Sequence, residues 1–208
     1  MGNLIKAKVT IRGNRPLLQH RFTEESLPLE KQEKTGVAGN DPEEWRKTAM
    51  VTKDGQLYVD GPYIFSMLRN AAKFTKKGKG SIQADVSATL QVLDDKVLLS
   101  NRYFPNFPNG HSFDIKKEDP PPRDVDAPVF MDVRSVRNPS TKGRNVRYRV
   151  AASAGWECEF NILWDKTLIS RALMEAVIRD SGVLVGLADG RAVGFGRFEV
   201  LDIEVADA

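Results

Sequence analysis

Apolar and polar residues alternate along several segments of the chain, and each such segment predicts a β-strand with one buried face. Over residues 6–12, lysine or arginine alternates with Ala, Val and Ile, so one face of this strand should be basic. Residues 56–60, 156–164 and 197–205 also have strand patterns. Two further alternating segments, 129–136 and 145–151, are separated by a polar turn sequence, which predicts a long β-hairpin over 129–151.

Two segments have features typical of helices. Gly61-Pro62 opens the first, which we expect to run to about Lys73 with Ile64 and Leu68 on its apolar stripe. The second follows the strand at 156–164, with Asp165 or Thr167 expected as its N-cap and Gly182 as its end. Its apolar surface is predicted to consist of Leu168, Ala172, Met174, Ala176 and Val177. Residues 86–93 fit either a helix or a strand.

Two long segments lack any sustained period. Residues 23–52 are polar and contain glycine and proline, which predicts a loop-like insertion, and residues 100–126 form a polar connector that includes three consecutive prolines. The order of strands and helices predicts an α+β fold with helices on one face of a sheet. We expect a ferredoxin-like (RRM-like) core in a single domain over 1–208, with the insertion, the connector and a projecting basic hairpin as its additions.

The composition excludes several classes of protein. The 208 residues contain neither an apolar run long enough to cross a membrane nor a signal-peptide pattern, so we expect a soluble cytoplasmic protein. The single cysteine, Cys158, and the two histidines, His20 and His111, provide neither a disulfide framework nor a recognisable metal-binding spacing. We therefore expect no metal, no cofactor and no catalytic residue.

Charge is segregated along the chain although the net charge is only +3. Residues 23–44 are rich in acid, whereas the predicted hairpin has no acid between Arg134 and Arg149. Cations on an extended hairpin can neutralise phosphates, and Tyr148 among them offers a stacking surface. Surface strands also carry basic residues to discourage edge pairing, which is the alternative interpretation. The hairpin candidates for RNA contact are Arg134, Arg137, Lys142, Arg144, Arg147 and Arg149.

A glycine-rich segment, residues 186–198, follows the second helix. Its glycines permit positive φ angles and a close approach of backbone to a phosphate, and two arginines lie beside them. A strand pattern follows this loop, so it is not a dinucleotide-binding fingerprint, and no Gly-Lys-Ser/Thr marks a Walker loop. The alternative is a tight connection without a ligand. The candidates here are Gly190, Arg191, Gly194, Gly196 and Arg197.

A third group of cations lies near the end of the first helix and in the loop after it. These residues could hold phosphate or could be an ordinary solvated turn. They are Arg69, Lys73, Lys76, Lys77 and Lys79, and Arg12 on the first strand completes the candidates. We expect the hairpin and the glycine-rich loop to line one groove for a ribose-phosphate chain.

Three motifs resemble motifs of the RAMP superfamily, the RNA-binding proteins of CRISPR systems, and occur in the same order as in that family. Gly-Leu-x-x-Gly-Arg-x-x-Gly-Phe-Gly-Arg-Phe at 186–198 is similar to its C-terminal glycine-rich loop. The strand, Gly-Pro and Ser-x-Leu-Arg-x-Ala helix at 57–71 resembles that of the effector backbone (Cas-seven type) subunits. The basic strand and Gly-Trp-x-x-x-Phe at 144–164 does so too, whereas 23–52 and 100–126 match nothing in the family.

The resemblance implies a guide-RNA-binding backbone subunit that assembles in a helical filament, with a thumb-like hairpin that kinks the RNA. The implied partners are guide RNA, copies of the chain, other effector subunits and target nucleic acid, without a membrane. Some subunits of this kind cut RNA with a loop aspartate, and Asp41 has a loosely comparable place. The alternative function is a metal-independent endoribonuclease of the superfamily, for which His20 is the candidate acid/base.

Overall fold

The computed structural model describes residues 3–22, 24, 40–105, 112–137 and 143–208. Parts of the insertion and the tip of the hairpin, including Lys142, lie outside the described residues, as does His111. The chain divides into two compact units: one comprises Met1–Leu17, Tyr58–Asn101 and Ala154–Ala208, and the other Leu18–Leu57 and Arg102–Ser153. The prediction of a single domain stays a prediction.

The described part of the chain is mixed α/β, with mostly antiparallel sheets, in agreement with the predicted α+β class. The strands are β1 (Leu4–Gly13), β2 (Leu17–Leu18), β3 (Gln56–Asp60), β4 (Lys76–Lys77), β5 (Gly80–Ser81), β6 (Gln91–Val92), β7 (Lys96–Tyr103), β8 (Val129–Arg137), β9 (Arg144–Ala152), β10 (Glu157–Asp165) and β11 (Phe198–Asp207). The helices are α1 (Glu44–Thr48), α2 (Gly61–Ala71), α3 (Gln83–Thr89) and α4 (Arg171–Asp180). The ambiguous segment 86–93 contains the end of α3 and then β6.

The large sheet has the strand order β11-β1-β10-β7-β3, with β6 also paired to β10. β1 lies between β10 and β11 and is antiparallel to both. Ala7, Val9 and Ile11 are fully buried, while Lys6 and Arg12 are exposed on the opposite face. The predicted burial of one face of the first strand is therefore confirmed.

The first long helix begins as predicted. Pro62 occupies its first turn, where the backbone nitrogen needs no acceptor, and Ile64 and Leu68 are buried. The regular helix ends at Ala71, two residues before the predicted Lys73.

The predicted start of the second long helix was wrong. Ser170 is the N-cap, and its hydroxyl accepts a hydrogen bond from the Leu173 amide at 3.4 Å. Asp165 instead accepts hydrogen bonds from the amide and hydroxyl of Thr167, which fixes a turn before the helix. Leu168 therefore lies outside α4 and is 46% exposed.

The buried surface and the end of this helix also differ from the prediction. Met174, Val177 and Ile178 are buried, whereas Ala172 is exposed. The chain passes Gly182 in a π-helical turn, Ser181–Val185. A Cβ at Gly182 would come within 2.3 Å of the Phe198 carbonyl oxygen, so this glycine allows close packing and does not end the helix.

The second unit contains the predicted hairpin. β8 and β9 pair antiparallel from Val129↔Ala152 to Arg137↔Arg144, and the three-stranded sheet has the order β2-β9-β8. Asn40, just before α1, forms a parallel bridge with Val146 of β9. Residue 40 of the predicted insertion therefore lies beside the hairpin, and the segment 23–52, predicted as a loop, contains helix α1.

Helix α1 is anchored by its own aromatic and basic residues. Trp45 is buried and stacks on Phe104 with the ring centroids 5.7 Å apart. Arg46 donates hydrogen bonds to the carbonyls of Ile115 and Glu118, which belong to the connector. The connector thus packs on α1 within the second unit.

Two observations concern thiol reactivity and metal binding. Cys158 is buried on β10, and desolvation raises the pKa of its thiol, which disfavours the reactive thiolate. Among the described residues, no three or more His, Cys, Asp or Glu side chains come together as a possible metal site. No helix in the described ranges is long and apolar enough to span a membrane.

Candidate nucleic-acid interface

The register of the hairpin sorts its arginines onto two faces. Residues opposite each other share a face, and neighbouring residues in a strand point to opposite faces. Asp132↔Arg149 and Arg134↔Arg147 lie on one side, which we call the acid-paired face. The other side, which we call the Arg137–Arg144 face, is formed by Val133, Ser135, Arg137, Arg144, Val146 and Tyr148.

The acid-paired face is built around a buried carboxylate. Asp132 accepts two hydrogen bonds of 2.8 Å from Nε of Arg134 and one of 3.2 Å from Nη2 of Arg149. The side chains of Asp132 and Arg149 are only 3% and 5% exposed. Arg149 therefore serves the fold and does not present its guanidinium to solvent, although the basic pattern made it an RNA-contact candidate.

A second carboxylate, from helix α1, binds the same face. Glu44 contacts Arg147, accepts a hydrogen bond from the Tyr148 amide at 3.0 Å, and lies 3.4 Å from Nε2 of His20. Burial alone would raise the pKa of Glu44, but the hydrogen bonds from His20, Tyr148 and Arg147 outweigh it and lower this pKa to about 2. Glu44 is therefore an anion at neutral pH and offsets part of the charge of Arg147.

Arg137 and Arg144 are in a different environment. They are directly opposite each other at the far end of the described strands, and both are exposed. Within the described ranges, no carboxylate forms an ion pair with either guanidinium. Like charges directly opposite in an antiparallel pair repel, so an anion between the two arginines would relieve that repulsion.

Helix α2 and the loop after it supply cations in the first unit. Lys77 is held by Asp85 at 2.8 Å and by the Leu168 carbonyl at 3.3 Å, so its ammonium group is used inside the unit. Arg69 donates to Ser87, and Lys73 lies over the ring of Phe74. Lys76 on β4 and Lys79 at its turn are exposed as well.

The glycine-rich loop has the backbone that its sequence predicted. Gly186, Gly190, Gly194 and Gly196 all have positive φ, at 86°, 71°, 90° and 66°. The Leu187 amide donates to the Gly196 carbonyl at 2.9 Å, which closes the loop on itself.

The two arginines of this loop differ in their contacts. Arg197 donates to the Val183 carbonyl at 2.9 Å and so braces the preceding π-helical turn. Arg191 is half-buried, and within the described residues its guanidinium has no ion-pair partner. Arg191 is thus the better placed of the two to meet a ligand.

Arg12 is matched by acids on neighbouring strands. Its guanidinium lies 2.7 Å from Glu157 on β10 and 3.9 Å from Glu199 on β11. The hydrogen bond and charge of Glu157 raise the pKa of Arg12. Lys8 on the same face lies 2.9 Å from Glu159. Much of the predicted basic face of the first strand is therefore neutralised, and Arg12 is a weak candidate for RNA contact.

Sequence patterns missed the acids that organise the hairpin. Asp132 had a signal, because it alternates with Arg134 on the same face of β8. Glu44 had none, because it lies 103 residues from Arg147 in the chain. Asp41, a candidate for RNA cleavage, is exposed and pairs with Lys47 at 3.0 Å.

Comparison with solved structures finds a similar chain in the cryo-EM structure of the Type III-B Cmr-beta bound to cognate target RNA. The two chains share a fold. The match covers 98% of this chain with a TM-score of 0.50 and 10% sequence identity. This chain spans 61% of the length of that one. No protein-family model matches the sequence, and no curated protein matches it.

Proposed function

We propose that the chain is a guide-RNA-binding backbone subunit of a CRISPR-type ribonucleoprotein and a member of the RAMP superfamily. Two observations support this: the fold is similar to that of a chain in an RNA-bound Type III-B assembly, and three motifs resemble the superfamily. Its partners would be guide RNA, further copies of itself along that RNA, other effector subunits and target nucleic acid. We also infer that it is cytoplasmic and is not itself an enzyme.

The proposed family implies a ferredoxin-like core, and the connectivity of the large sheet supports one. In chain order, β1, α2, β7, β10, α4 and β11 follow a strand-helix-strand-strand-helix-strand pattern. The four strands lie in the order β11-β1-β10-β7, which puts the last strand beside the first. On this proposal, β2 to β3 and β8 to β9 are additions to that core.

The observation that carries the proposal is the opposed pair Arg137 and Arg144. Two exposed guanidiniums directly opposite each other, without an acid partner in the described part of the chain, favour a phosphate ligand over a purely structural role. Phosphate contacts fix the position of a nucleic acid without selecting its sequence. Binding should therefore be nearly independent of RNA sequence, as a protein that coats different guides requires.

The first unit contributes its own candidates. Arg69, Lys76 and Lys79 are exposed, and Gly194 has no neighbour within 4 Å of where a Cβ would lie. A backbone this open beside a cation suits a phosphate oxygen. The residues that we propose as further phosphate contacts are Arg69, Lys73, Lys76, Lys79, Gly190, Arg191 and Gly194.

The test is the affinity of Arg137→Gln/Arg144→Gln for a fluorescent single-stranded RNA, measured over a range of salt concentrations. Each phosphate contact on a single strand contributes about 0.7 to the slope of log K against log salt, so the double variant should lower the slope by about 1.4. Affinity should fall roughly tenfold or more at ~0.1 M salt, to a similar extent on unrelated sequences.

The matched control is Lys53→Gln/Arg123→Gln, which removes two exposed cations from the same unit. It changes the net charge equally and should leave the slope close to that of the wild type. Equal losses in both double variants would mean that only net charge matters, and unchanged binding in the hairpin variant would remove Arg137 and Arg144 from the site.

One observation favours a second candidate, the metal-independent endoribonuclease. The 3.4 Å contact between His20 and Glu44 supplies the oriented partner that a histidine acid/base needs, with Arg147 on the same carboxylate. Incubation of the protein with repeat RNA tests it. Cleavage that His20→Ala abolishes would establish this activity, and intact RNA with the wild-type protein would reject it.

A further inference from the structure

We propose that the hairpin binds RNA on one side only. Single-stranded RNA lies on the Arg137–Arg144 face, and the carboxylates Asp132 and Glu44 keep it off the acid-paired face. This inference rests on the proposed function, because it assigns the side of the hairpin on which the proposed RNA binds. The alternation of side chains and the placement of two carboxylates carry it.

Charge separates the two sides. On the acid-paired face, the guanidiniums of Arg134, Arg147 and Arg149 meet the carboxylates of Asp132 and Glu44. A phosphate that approached this face would have to compete with carboxylates already in contact with those guanidiniums, and it would be repelled by them. On the opposite face, the described residues include two exposed arginines and no carboxylate.

The side chains of the Arg137–Arg144 face also favour single-stranded RNA as the ligand of this face. The Arg137–Arg144 face continues from its two arginines into Val146, Tyr148 and Val133, which are all half-buried. A nucleotide has a charged phosphate and a flat apolar base, so a cationic pair beside an aromatic ring suits both parts. Only a single strand exposes its bases for such contact, which selects single-stranded RNA over a duplex.

Helix α1 contacts the acid-paired face through the carboxylate of Glu44. Asn40 is bridged to Val146 through the backbone at the edge of β9, and α1 brings Glu44 to Arg147. The same carboxylate accepts a hydrogen bond from the Tyr148 amide, so α1 fixes the edge of β9 at Tyr148. Helix α1 therefore supports the hairpin from the side that RNA does not use.

Adjacent residues on β8 give a direct test. Ser135 points to the Arg137–Arg144 face and Val136 to the acid-paired face, and both are exposed. Each is replaced in turn by the photo-crosslinking residue p-benzoylphenylalanine in the full chain, and irradiation is carried out with a radiolabelled single-stranded oligouridine RNA. Neither residue takes part in the ion pairs described above, so both variants should fold, which thermal denaturation checks.

We expect crosslinking from position 135 to exceed that from position 136 by roughly fivefold or more. Equal or stronger crosslinking from position 136 would overturn the one-sided assignment, while RNA binding by the hairpin, and with it the proposed function, would stand. If neither position crosslinks although the RNA binds, the hairpin is not the RNA site, and both the assignment and its basis in the proposed function fail.

Tyr148→Ala and Tyr148→Phe separate stacking from structure on the same face. Loss of the ring should weaken oligouridine binding roughly tenfold, and Tyr148→Phe should restore it because the stacking surface is kept. Unchanged binding in Tyr148→Ala would show that the base does not contact this face, and would overturn that part of the assignment.

Discussion

At the scale of single residues, conformational requirements could be predicted and charge partners could not. The positive φ angles of Gly186 and Gly194 follow from residue type and spacing alone, because glycine adopts them without steric cost. The partners of the hairpin arginines depend on chain folding: Asp132 is 17 residues from Arg149, and Glu44 is much farther from Arg147. No local pattern encodes such distant pairs.

Glu44 should make stability depend on pH in the acid range. The pKa of Glu44 is lowered from an ordinary 4.5 to about 2. Its contribution to the free energy of unfolding is therefore fully present above pH 4.5 and is lost as the pH falls toward 2. We expect Glu44→Gln to lose stability on the order of 2–3 kcal/mol at pH 7, with a difference from wild type that narrows below pH 4.5.

Urea unfolding monitored by circular dichroism between pH 7 and pH 2 measures this difference. Glu43→Gln, which removes the exposed neighbouring carboxylate, is the control and should follow the wild-type curve. A Glu44→Gln curve that runs parallel to that of the wild type over the whole range would contradict the role given to this carboxylate.

The glycine-rich loop gives a second residue-scale prediction. A Cβ at Gly196 would lie 1.9 Å from the Leu187 carbonyl oxygen, whereas a Cβ at Gly194 would meet nothing within 4 Å. Gly196→Ala should therefore lower the melting temperature strongly, at a cost of at least ~2 kcal/mol. Gly194→Ala carries only the strain of its positive φ, at ~1 kcal/mol. Equal melting temperatures in the two variants would be inconsistent with this packing.

At the scale of elements, periodicity predicted α2, α4 and most of the long strands, but not β7, and not α1, which lies in the segment 23–52 predicted as a loop. It also did not show where every element begins. Alternation predicted β8, β9 and β10 to within one or two residues. Burial alternates along β10, whereas β8 and β9 are buried where they begin and end the hairpin and more exposed toward Arg137 and Arg144. The start of α4 was missed because Asp165, Thr167 and Ser170 are all suitable caps in sequence. Only tertiary contacts decide which of them begins the helix.

The base of the hairpin should depend on its buried ion pairs. Asp132→Asn leaves Arg149 buried without a full counter-charge, which typically costs roughly 3–5 kcal/mol. We expect the hairpin to lose much of its hydrogen-exchange protection in this variant, measured across 129–137 and 144–152. Asp119→Asn, at an exposed position of the same unit, is the matched control and should change little. Equal protection in both variants would argue against the network as a support for the hairpin.

At the scale of the molecule, the sequence predicted the α+β class and the hairpin. Both follow from patterns of burial that each element carries by itself. The shared groove for the hairpin and the glycine-rich loop stays a prediction, because the placement of separate units depends on contacts that one sequence does not encode. Which hairpin arginines are paired with acids could likewise not be predicted from the sequence, because it depends on the positions of Asp132 and Glu44 in the folded chain.

The most direct measurement is the nucleic acid that the protein carries when it is purified from its native host. We predict that RNA co-purifies, and that ribonuclease digestion leaves protected fragments whose lengths increase in equal steps as copies of the chain line up along it. Sequencing of these fragments should return many unrelated sequences, because phosphate contacts do not select bases. A protein free of nucleic acid, or bound to DNA alone, would contradict guide-RNA coating.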